Sequence, residues 1–206
     1  MEKIKIPEII FKYSWIYDQN WKAVGERLSM EIEHLSQEDI RGYMKKVEKS
    51  WKENERDILE ELSKITSLSW KSESITCYVV KRCFMPSAFS DPLTISVLTH
   101  KKEDEFVDVL THELIHRLLT EPGRMKELED HKKLKEEKYP EESFKTKIHI
   151  TVHAIHKHVY LKFFNKDRLK RDMEKMRRIE DYRRAWDIVE REGHEKIIED
   201  LRESIK

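Results

Sequence analysis

Residues 111–116 read THELIH, which sets His112 and His116 four positions apart with Glu113 beside the first. On a helix that spacing is one turn plus about 40°, so both imidazoles face one side and can bond a single metal ion. Glu113 projects next to the first of them. It is in place to take a proton from a water that the ion acidifies towards a pKa of ~7 while polarising the carbonyl under attack. A chain with ten His throws up this pattern by chance only ~0.07 times, so the flanks must decide its meaning. They read VLTHELIHRLL, a continuous helical pattern with apolar residues between and around the two imidazoles, as a buried metal-bearing helix requires.

On these residues the chain resembles the zincin superfamily of zinc metallopeptidases, whose signature is His-Glu-x-x-His on a helix. The resemblance covers Ser90 to Pro122 and, more loosely, His149 to Tyr160. It implies Zn²⁺ as cofactor, a peptide or protein as substrate, hydrolysis of the amide bond, and Glu113 as the general base that then protonates the leaving amine. It also implies three protein ligands and one open position. Two β-rich segments precede the motif, as in zincin folds, where a sheet edge lies along the cleft and pairs with an extended substrate. The strand within PSAFSDPLTISV is the expected edge. Arg117 departs from the pattern, being charged where the wider family prefers an uncharged residue.

The third ligand has to come from elsewhere. The metzincin form is excluded because Leu119 and Pro122 occupy the positions of its Gly and third His. The gluzincin form places a Glu on a downstream helix, and no Glu stands there in an apolar setting. What stands there is IHITVHAIHKHVYL. At about 100° per residue His149, His153, His156 and Tyr160 share one arc of roughly 60°, bordered by Ile148, Val152, Ile155 and Val159, while His158 points away. Buried imidazoles on an apolar face need partners or a metal. His153 is the first choice of ligand, by its resemblance in place to the gluzincin ligand helix, and His149 is the alternative or an additional one. A fourth histidine would close the sphere and make a zinc-stabilised interaction or regulatory module instead of an enzyme. Tyr160 and His156 are candidate stabilisers of an oxyanion. Cys77 and Cys83, six apart, form no CxxC pair and read as inert buried thiols; a Cys ligand of the deformylase type lacks its surrounding glycine motif here.

The elements that must carry these groups follow from periodicity. Apolar residues return at spacings of three and four from Trp21 to Thr66, including Ile32, with a break at LSQED where Ser36 is a plausible N-cap, and this predicts a helical hairpin. SITCYVVKRC and LTISVLT are β-branched and predict two antiparallel strands joined by the loop FMPSAFSDP. A helix from Lys102 carries the motif until Pro122-Gly123. The charged stretch Arg124 to Thr146 predicts an excursion or a lid. A helix spans Ile148 to Phe164, and one or two charged helices fill Lys166 to Lys206 around a stripe that includes Trp186 and Val189. The expected fold is a single α+β domain over 1–206, mainly helical, with a small antiparallel sheet next to the motif helix. It has a helical part at 1–72, strands and metal helices at 73–164, and charged helices at 165–206.

Composition bounds the partners. Lys+Arg and Asp+Glu number 41 each, so neither nucleic acid nor an anionic membrane is an expected partner. Charged residues make up 40% against 38% hydrophobic, which with few amides and few glycines fits an ion-pair-laced surface and a protein working at high temperature. No apolar run spans a bilayer and the start lacks a secretory signal, so a cytoplasmic location is expected.

Overall fold

The computed structural model describes residues 4–30, 35–83 and 88–205. Ile32 and the stretch 84–87 of the expected loop lie outside the described residues. The fold is α+β and predominantly helical. In chain order it comprises β1 (Glu8–Tyr13), α1 (Trp15–Arg27), α2 (Gln37–Lys52), α3 (Glu55–Thr66), β2 (Ser74–Val80), β3 (Ala88–Ser90), β4 (Leu93–Ser96) and α4 (Glu103–Thr120). Then follow α5 (Arg124–Glu127), α6 (Glu129–Lys138), α7 (Phe144–Phe163), α8 (Lys166–Met176), α9 (Glu180–Glu192) and α10 (His194–Ser204). None of the described helices is long and apolar enough to cross a membrane.

The chain divides into two compact units. One takes Ile6–Arg56 and Ser72–Leu114, the other Met1–Lys5, Asp57–Lys71 and Ile115–Lys206. The division falls inside α4, which is itself one uninterrupted helix.

The first unit is built on a four-stranded sheet of order β1-β2-β4-β3. The sheet is mixed, not antiparallel: β1 and β2 are parallel, β2 and β4 are parallel, and β3 alone runs against β4. The physical reason lies in the connection. Part of the expected loop is itself a strand: Ala88–Ser90 forms a hairpin with Leu93–Ser96, and this turns β4 to run alongside β2 in the same sense. Consequently β4 is an inner strand, buried at every position, and the edge expected of its segment falls to the three residues of β3. The other edge, β1, was not anticipated. Its signal is a short period-2 alternation in which Ile9 and Phe11 are buried while Glu8 and Lys12 are exposed, the mark of a half-buried strand.

Three helices, not a hairpin of two, bridge β1 and β2. Ser36 does cap α2, accepting from the Asp39 N–H (3.0 Å) while the Asp39 carboxylate accepts from the Ser36 N–H (3.0 Å), a reciprocal capping box. The start of α4 is held by aromatic packing: the Phe106 ring lies 6.1 Å from that of Phe11 on β1 and 6.0 Å from that of Tyr43 on α2. Tyr43 also donates its hydroxyl to the His100 carbonyl just upstream of the helix.

The second unit centres on α7. Almost every residue from Thr146 to Tyr160 is buried, so this helix has no solvent face to mark it as amphipathic. It starts a turn earlier than the periodicity suggests, where Ser143 accepts from the Thr146 N–H at 3.0 Å. Helices α8, α9 and α10 pack against it, three pieces where one or two were expected; the break between the last two sits at Gly193, whose φ of +87° favours glycine. The charged stretch after α4 is no free excursion. Lys138 on α6 bridges Glu192 (2.7 Å) and Asp200 (3.0 Å), and Lys147 pairs with Glu136.

The end of α4 is pinned within this unit. Helix α4 stops before Pro122-Gly123, with Gly123 at φ +80°. Beyond it Arg124, 1% exposed, meets the equally buried Glu121 at 3.3 Å and donates to the Ser69 carbonyl. Glu121 accepts in turn from the Lys71 backbone N–H at 2.9 Å.

Candidate metal centre

Helix α4 presents His112 and His116 one turn apart, as their spacing requires, and α7 presents His149. The imidazoles of His116 and His149, both in the second unit, meet edge to face with ring centroids 4.9 Å apart. His112 follows from the same continuous helix. One ligating nitrogen from each of His112, His116 and His149 lies within 4.8 Å of the others. Tetrahedral zinc with Zn–N bonds of 2.0–2.1 Å needs nitrogens about 3.4 Å apart. The remaining contraction of roughly 1.4 Å is within the reach of ring rotations about side-chain torsions, so the three imidazoles could hold a metal ion.

The protonation states suit metal binding. Burial first, then the neighbouring His149 and the charge of Lys135, push His116 down to about 3. Burial likewise takes His149 down to about 4. Both are therefore neutral at physiological pH, the form that binds a metal. The tautomer of His149 follows from its partner. Its Nδ1 lies 2.8 Å from the Lys145 carbonyl, which can only accept, so Nδ1 carries the hydrogen and Nε2 the lone pair.

Glu113, between the two histidines of α4, is partly buried, and desolvation raises its carboxyl to about 8. That shift belongs to the metal-free site. A divalent ion on the adjacent imidazoles favours the carboxylate and draws the value down.

The described group that could hold a metal includes His149, the alternative, and leaves out His153, the first choice. His153 is fully buried and lies outside the three-histidine group, stacked on Trp186 with centroids 4.5 Å apart and planes 14° from parallel. One turn earlier on each helix, His149 packs on Tyr182 at 4.3 Å. Helices α7 and α9 thus form two imidazole–aromatic rungs, and of their imidazoles His149 belongs to the group that could hold a metal. Tyr160 and His156 are also not brought to the group. They are 0% and 1% exposed, face one another at 4.5 Å, and Tyr160 continues to Phe164 at 5.9 Å. His158 does point away, bonding through Nε2 to the Glu61 carboxylate at 2.8 Å, where Lys162 also binds at 2.5 Å.

Tyr182 was missed. Its signal in the sequence is faint: one turn before Trp186 on the stripe of α9, at a half-buried position where the stripe meets solvent. Cys77 and Cys83 are buried free thiols, and burial raises Cys83 to about 12 and Cys77 further, with Glu113 adding to both. Neither thiol belongs to the described group that could hold a metal. Comparison with protein-family models, with curated proteins and with solved structures finds no match to this chain.

Proposed function

We propose that the protein is a zinc-dependent hydrolase of peptide bonds, a zincin-type metallopeptidase in which His112, His116 and His149 hold the ion and Glu113 is the general base. The observation that carries this reading is the convergence of three imidazoles, two of them flanking a carboxylate in the His-Glu-x-x-His order. Zinc bound there would supply Lewis acidity, lowering the pKa of water and polarising the scissile carbonyl. The chain's own work falls to a few groups. Glu113 accepts the proton of the attacking water at a carboxylate oxygen and delivers it to the leaving nitrogen. The Lys145 carbonyl holds His149 in the tautomer that puts the lone pair on Nε2. Glu113 and His116 are both partly exposed.

Three protein ligands leave a tetrahedral ion one open position, which separates this reading from a closed four-histidine module. The test combines metal content and turnover. One zinc per chain is expected, with cleavage of a quenched-fluorescent peptide library, and Glu113→Gln should lower kcat at least ~10³-fold while zinc stays bound. Unchanged turnover in that variant rejects the base, and a chain that takes up no zinc rejects the site.

A further inference from the structure

We propose that Tyr182 is a positioning residue for this centre: its ring, packed against one face of the His149 imidazole, sets the plane in which Nε2 meets the ion. This rests on the metal-site reading above and extends it to a residue on a helix that supplies no ligand. His149 needs such help. The hydrogen bond from Nδ1 to the Lys145 carbonyl (2.8 Å) restrains one nitrogen, and what the ring faces meet must limit rotation about the side-chain torsions. Tyr182 closes one side at a centroid separation of 4.3 Å and an interplanar angle of 38°. His116 stands edge-on to the ring at 4.9 Å, with the planes 70° apart. Held at these points, the ligand nitrogen has little freedom left, which is what outer groups contribute to a metal site.

Tyr182 is itself held. The residue before it, Asp181, accepts from the Ser143 hydroxyl at 2.5 Å and from the Thr146 hydroxyl at 3.3 Å, which ties the start of α9 to the start of α7. Lys145 places its ammonium 4.7 Å from the centre of the Tyr182 ring, an attraction between a cation and an aromatic face. Lys145 therefore acts on both partners, through its carbonyl on His149 and through its side chain on Tyr182. The second rung, Trp186 on His153, stays in the core, and the Tyr182 ring meets His153 edge-on at 5.6 Å.

The experiment measures zinc affinity by competition with a chromophoric chelator for the full chain and for Tyr182→Leu and Tyr182→Phe, with the visible spectrum of the cobalt-substituted proteins alongside. Tyr182→Leu should weaken zinc binding about 10- to 100-fold and shift the cobalt bands, because a ligand ring free to turn changes the ligand field. Tyr182→Phe keeps the face and should restore affinity to within about threefold. Circular dichroism of the metal-free variants shows whether each is folded, and the affinity is compared only below its melting temperature. A folded Leu variant with unaltered affinity and spectrum overturns the proposal. So does a Phe variant as impaired as Leu, which would assign the effect to the hydroxyl. Failure of the unaltered chain to bind zinc is a different result, since it removes the centre itself.

Discussion

The sharpest prediction compares two histidines one turn apart on α7. Replacing His149 by Ala removes one of three imidazole nitrogens that lie within 4.8 Å of one another. Replacing His153 removes a ring that stacks on Trp186 and stands outside that group. Zinc held by four protein ligands is bound with about 10–16 kcal/mol, so one ligand carries on the order of 3–4 kcal/mol. At 1.4 kcal/mol per decade His149→Ala should weaken zinc about 10²- to 10³-fold. Its cost to the folded metal-free chain should be smaller, because the ring lies near the edge of the unit beside a half-buried Tyr182. His153→Ala should show the opposite division. It opens a cavity against a fully buried Trp186, costing about 2–4 kcal/mol of folding stability as large-to-small core changes do, with zinc affinity within about threefold of the original. The assay is chelator competition for affinity and urea unfolding of the metal-free proteins for stability. A loss of zinc confined to His153→Ala refutes the assignment of His149. Equal losses in both would mean four histidines around the ion and would turn the reading towards a closed, non-catalytic module.

Two further outcomes concern stability. Burial first, then neighbouring cations, depress His131 and His156 to about 3. Both values lie below the ordinary 6.5, so the unfolded chain takes up protons that the folded one refuses. The contribution is full above pH ~6.5 and is lost as pH falls from there towards 3, at about 1.4 kcal/mol per pH unit for each histidine. Urea midpoints of the metal-free protein should drop between pH 7 and pH 5, and the drop should shrink in a His131→Asn, His156→Asn double variant; an equal drop in the variant contradicts the account. The Arg124–Glu121 pair gives the other outcome. Glu121→Ala takes one of two carboxylates from a guanidinium that is 1% exposed and keeps Glu127, a change worth about 1–3 kcal/mol, and should lower Tm by roughly 5 °C. Removal of the exposed Lys133 should leave Tm unaltered, and equal effects would deny the buried pair its structural role.

Some of this was legible in residue order alone, because it depends on local geometry. The four-residue spacing of His112 and His116, the stop at Pro122-Gly123 and the cap at Ser36 involve partners within a turn or two, and helix geometry carries them from sequence to structure without outside help. The overall balance of many helices and a small sheet is similarly local, since periods of 3.6 and 2 are visible in short windows. Long-range pairing is not. Whether LTIS lies parallel or antiparallel to SITCYVV depends on which segment turns back on which, and the hairpin formed between part of the expected loop and LTIS decided it. The same holds for the third ligand. His149, His153 and His156 share one arc of α7, chemically alike and equally surrounded by apolar neighbours, so no property of that helix ranks them. The ranking comes from α9, whose Trp186 takes His153 into the core while Tyr182 packs on His149, which belongs to the group that could hold a metal. Packing from a helix some thirty residues further along the chain selects among imidazoles that the local pattern could only bring to the same side.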